Sequence, residues 1–90
     1  MVTYTLIEKT ESQIFYEYYP EGKMDRKPGV ILVDRINEKI ELLSAAEDDF
    51  ERYAEEFNEH WWCYYNHAKR RIVEDYNKGI INESGVVAWY

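Results

Sequence analysis

The stretch SAAEDDFERYAEEFNEHWWCYYNHAKRRIVEDYNKG, residues 44–79, decides the fold. It reads as one long amphipathic helix. Ser44 followed by Glu47 makes a capping box: the hydroxyl accepts the Glu47 N–H, and the carboxylate reaches back to the Ser44 N–H. Ala45 and Ala46 suit a first turn because they lose no side-chain entropy there. Gly79 suits the left-handed conformation that closes a helix. Phe50, Tyr53, Ala54, Phe57, Trp61, Tyr64, Tyr65, Ala68, Ile72 and Tyr76 recur at spacings of three, four and seven, which puts them on one helical face. Acid crowds the first half and Lys69, Arg70 and Arg71 the second, the order that the helix dipole favours. The spacings Asp48–Arg52 and Arg71–Asp75 add two i,i+4 pairs.

Length makes this helix more than a packing element. About 34 residues at about 1.5 Å each form a rod of roughly 50 Å. A seven-residue strand spans only about 23 Å. A small sheet therefore leaves an overhang, to be covered by the C-terminal tail, a second copy, another partner or a bend. The belt Trp61-Trp62-Cys63-Tyr64-Tyr65 sharpens the need, since Trp62 lies about 100° round a helix from Trp61.

Outward from this stretch the chain reads as strands. Residues 2–7 alternate and are rich in strand formers, and residues 13–19 repeat the pattern after the polar turn Lys9-Thr10-Glu11-Ser12. Tyr4, Leu6, Ile14, Tyr16 and Tyr18 make the inward set, and Phe15 and Tyr19 point the other way. Residues 20–29 hold two Pro and two Gly and form a long charged loop, expected to be mobile. Val30-Ile31-Leu32-Val33 does not alternate, as for a central strand covered on both sides. Residues 39–43 form a fourth strand that runs into the helix cap. Val86-Val87-Ala88-Trp89-Tyr90 is apolar, and is expected to add an edge strand or to lie back along the helix. The fold expected is a single α+β domain over residues 1–90: a four-stranded antiparallel meander followed by one long helix packed on the sheet, with a short C-terminal strand or tail.

Composition narrows the function. A net charge of −7 argues against nucleic-acid binding, which needs a basic footprint. The single Cys excludes an intrachain disulfide and fits a reducing, cytoplasmic setting. No apolar run approaches the 18 residues or so of a membrane helix, and no secretory signal precedes the strands.

Three constellations bear on chemistry. His60, Cys63 and His67 lie three and four apart, and His and Cys are zinc ligands. Residues seven apart on a straight helix are about 10 Å apart along its axis, so two of the three bind with help from elsewhere. The plainer reading packs Cys63 as a small apolar residue between half-exposed histidines. Cys63 with either histidine also has the makings of a nucleophile and base, but no orienting third group or oxyanion hole is in view. The acidic first half of the helix offers a rigid row of carboxylates, the requirement for a decoy that blocks a nucleic-acid-binding groove. A solvated acidic face is the plainer account of it.

Glu17-Tyr18-Tyr19-Pro20-Glu21, Gly29-Val30-Ile31 and the ending Gly85-Val86-Val87-Ala88-Trp89-Tyr90 resemble a group of short bacterial proteins that end in Ala-Trp-Tyr. The similarity spans nearly the whole chain. No activity is attached to that group, so the resemblance implies a bacterial, cytosolic protein and assigns no functional residue.

The first functional expectation is a cytoplasmic protein–protein interaction module, a homodimer, that uses Trp61, Trp62 and Tyr65 with Trp89 and Tyr90 and is not an enzyme. Interfaces favour Trp and Tyr, and the overhang needs a cover. The alternatives are a metal- or small-ligand-binding module through His60, Cys63 and His67, with zinc as the metal, and the acidic decoy.

Overall fold

The computed structural model describes residues 1–54 and 59–89. Seven strands and one helix follow in order: β1 Val2–Lys9, β2 Gln13–Pro20, β3 Gly29–Asp34, β4 Lys39–Ser44, β5 Glu51–Ala54, β6 Glu59–Trp62, α1 Cys63–Asn77 and β7 Ser84–Val87. Five strands make one antiparallel sheet in the order β4-β3-β2-β1-β7, while β5 and β6 form a separate two-stranded ribbon.

The meander is where the alternation put it. Val2, Tyr4, Ile14, Tyr16, Tyr18, Ile31 and Val33 are buried on one face, beneath Tyr65, Ala68 and Ile72 of α1. Tyr4 and Tyr16 meet edge to face at 5.6 Å between ring centroids. Ala68 is fully buried, and its lack of a long side chain lets helix and sheet approach. β3 lies inside the sheet as expected, yet it alternates buried and half-buried residues, so only one of its faces is covered. The tail meets both expectations. Val2 to Thr5 pair with residues 84–87 to make the fifth strand, and Trp89 then folds back onto Tyr64 and His67 of the helix.

The long helix is not formed. α1 has 15 residues, and it starts at Cys63 rather than near Ser44. Ser44 ends β4 opposite Val30, and Glu47 accepts the Lys27 N–H at 2.7 Å instead of closing a capping box. Fifteen residues at about 1.5 Å span about 22 Å, which matches strands of six to eight residues. The molecule measures 34 × 32 × 23 Å, and a straight rod of roughly 50 Å has no place in it. The stop is the expected one. Gly79 takes φ 79°, its N–H reaches the Tyr76 carbonyl at 2.9 Å, and the Ile80 N–H reaches that of Asp75 at 2.8 Å, the double bond of a Schellman ending.

The charged loop after β2 is tied down. Glu21 and Gly22 turn the chain at positive φ. The Arg26 guanidinium then grips both Asp48 oxygens at 3.0 and 3.1 Å and Glu47 at 2.8 Å. Asp48 therefore pairs with this loop, not with Arg52 as the helical spacing suggested.

Candidate interaction site

The start of α1 needs acceptors for its free N–H groups, and its own cap residue, Trp62, supplies no side-chain bond. Asp49 supplies them from across the chain. One oxygen accepts the N–H groups of Phe50 at 2.8 Å and Tyr64 at 2.9 Å. The other accepts the Tyr65 N–H at 3.1 Å and the Tyr18 O–H at 2.7 Å. The Cys63 N–H goes to the Phe50 carbonyl at 2.9 Å. A carboxylate at a helix N-terminus also meets the positive end of the dipole. Tyr18 closes the circuit by accepting the Ala46 N–H at 3.1 Å. Burial, and the Asp49 carboxylate beside it, push the Tyr18 hydroxyl pKa far up. The centre of the sheet, the turn at residues 45–50 and the helix start are thus one hydrogen-bonded unit.

From this unit the β5–β6 ribbon projects. Its register sets Glu51 against Trp62, Arg52 against Trp61 and Tyr53 against His60. Neighbours on a strand face opposite ways, so the two tryptophans part company. Trp62 packs against the core. Trp61 carries the Arg52 guanidinium over its ring at 4.8 Å, and meets His67 edge on at 6.1 Å. His67 stacks flat on Trp89, 3.7 Å between centroids and 7° between planes, and Trp89 meets Tyr64 at 5.4 Å. Phe50 completes the row against Tyr64 at 6.1 Å, with half of its surface in solvent. The belt is a chain of ring contacts linking ribbon, helix and tail.

The expected site residues divide accordingly. Trp61 and Trp89 belong to this cluster, Trp62 lies on its core side, and Tyr65 is buried against Tyr18 with no surface to offer. Tyr90 and the His60 side chain lie outside the described residues, as do Glu56 and Phe57. Cys63 is buried, and desolvation raises its thiol pKa. Burial lowers the His67 pKa, with Arg70 and Arg52 adding to the effect. Among the described residues no three His, Cys, Asp or Glu side chains gather as a metal-binding group. Cys63 is buried, while His67 is half-buried and stacked on the Trp89 indole. Among the described residues the acidic run does not share one helix: Glu47, Asp48 and Asp49 serve the loop and the helix start, and Glu51 lies in β5. Sequence reading passed over Asp49, Phe50 and Arg52 as site residues. Nothing in an acidic run marks which carboxylate turns inward.

No protein-family model matches the chain, and neither a curated protein sequence nor a solved structure matches it. No described helix is long and apolar enough to cross a membrane.

Proposed function

We propose that this chain is a non-enzymatic protein-interaction module of the cytoplasm that pairs with a second copy of itself through the β5–β6 ribbon. The carrying observation is the ribbon itself. Among the described residues it is hydrogen-bonded to no other strand; Tyr53 within it is 48% exposed, and Phe50, which leads into it, is half exposed. An isolated two-stranded ribbon is marginal in water, and it gains stability by packing against something. Large aromatic rings on a stiff backing suit an interface, because they cover area at little entropic cost. Trp61, Trp62 and Trp89 supply that backing. A non-catalytic role is supported by Cys63, the one thiol, whose burial and raised pKa disfavour the thiolate that nucleophilic chemistry needs.

Native mass across a concentration series tests the proposal. The expected species is a dimer of the 10.9 kDa chain that Phe50→Ser converts to monomer while the folded spectrum is kept. A monomer at every concentration, or a dimer indifferent to Phe50→Ser, excludes this use of the ribbon.

A further inference from the structure

A cleft of about 370 Å³ lies between Trp61 of the ribbon and the outer side of α1, lined by Asn66, His67, Lys69, Arg70, Val73 and Glu74. Its size falls in the range of small-ligand sites. Its charge runs against the molecule as a whole. In a chain of net charge −7 this wall offers, among the described residues, two cations to one carboxylate.

The cations are available. Arg26, Arg35 and Lys39 are engaged in ion pairs or hydrogen bonds, while Arg70 has no ion pair or hydrogen bond among the described residues and is exposed. Lys69 has only a distant approach to the Tyr65 ring at 5.9 Å. A guanidinium beside a flat apolar wall recognises a planar carboxylate carried on a ring, because its paired N–H groups match the two oxygens. Trp61 and Val73 provide the apolar surface.

Trp61 supplies a second, independent sign. Its indole N–H is shut away from solvent and has no acceptor among the described residues. Such an orphan is costly in a folded protein, and native structures rarely keep one without a reason. We propose that this cleft binds a small aromatic carboxylate, with Arg70 and Lys69 holding the anion and Trp61 covering the ring. The cleft shares Trp61 with the ribbon, whereas Phe50, whose substitution tests self-association, does not line it.

The three tryptophans make the test direct, because each gives one indole N–H resonance in a ¹H–¹⁵N spectrum of the intact chain, and Trp61→Phe assigns the one in question. Benzoate, 3-phenylpropionate and indole-3-acetate are each titrated to about 10 mM, where a millimolar site is nearly filled. The expected result is a saturating shift of the Trp61 resonance by at least one acid and none by its neutral amide. Arg70→Ala, a change at an exposed position, is expected to weaken that acid about tenfold, the effect of losing one charged contact. The proposal is overturned if no acid gives a saturating shift, if the amides shift the resonance equally, or if Arg70→Ala binds like the parent. Tighter binding of phenyl phosphate than of every acid overturns the carboxylate assignment.

Discussion

At Tyr18 a strand, a glycine and a helix cap depend on one side chain. Its ring lies across the neighbouring strand, where Gly29 stands directly opposite, and a Cβ there would overlap the ring. Tyr4 and Gly85 repeat the device at the other side of the sheet. Gly29→Ala is expected to displace the Tyr18 ring and cost about 1–3 kcal/mol in urea denaturation, the usual penalty for forcing bulk into a packed core. A loss under a few tenths would show that the ring yields freely. Asp49 is the partner of that hydroxyl and the cap of α1. Asp49→Ala leaves three N–H groups and one O–H without their acceptor, and is expected to cost about 2–3 kcal/mol. Asp49→Asn keeps one acceptor oxygen and should fall between. Equal stability of Asp49→Ala and parent would refute the cap.

His67 adds a pH dependence at the same scale. Its folded pKa lies below 6.5, first through burial and then through Arg70 and Arg52. The unfolded chain therefore binds the proton more readily than the folded one. Stability from the neutral ring is complete above pH 6.5 or so, and is lost as pH falls through the folded value. Melting between about pH 7.5 and 6 should drop less steeply for His67→Phe, which keeps the stack on Trp89 without a titrating group. Identical slopes would place His67 in a solvated setting.

At the scale of elements, the strands were legible and the helix start was not. Alternation in Tyr4, Leu6, Ile14, Tyr16 and Tyr18 marks one covered face, because a pleated strand sends neighbours opposite ways. Gly79 marked the helix end because few other residues take its left-handed φ of 79°. Residues 50–62 misled, because a four-residue strand is too short for a period of 2 to be told from one of 3.6. The capping box Ser44–Glu47 was sound local chemistry, overridden by tertiary partners: Val30 pairs with Ser44, and Lys27 takes Glu47. The true cap, Asp49, acts 15 residues ahead of Tyr64, beyond any local motif. The aromatic belt was legible as a cluster needing cover. Its division into a buried Tyr65, a core-side Trp62 and a Trp61 facing Arg52 depended on β6 being a strand. Arg70 was read as a dipole charge. Only the cleft beside it gives it another use.

For the whole molecule the expected mismatch between rod and sheet does not arise, because the rod is not formed and α1 has 15 residues. A rod of roughly 50 Å could not be covered by strands of about 23 Å. Instead α1 matches the strands in length, and of the residues before it those described form a turn at 45–50 and the two ribbon strands. The tail then adds an edge strand and covers part of the belt with Trp89. Among the described residues that arrangement leaves one face of the sheet without a layer over it, and it places the cleft where ribbon and helix meet.

Both functional proposals stand on Trp61 belonging to a strand. Backbone NMR of the intact chain tests that most directly. Cross-strand NOEs between Glu51 and Trp62 and between Arg52 and Trp61, with extended Cα shifts in both segments and helical shifts beginning at Cys63, are the expected result. Helical shifts running unbroken from Glu51 through Ala54 and from Glu59 into α1, with i,i+3 NOEs, would contradict it and remove the ribbon and the cleft together.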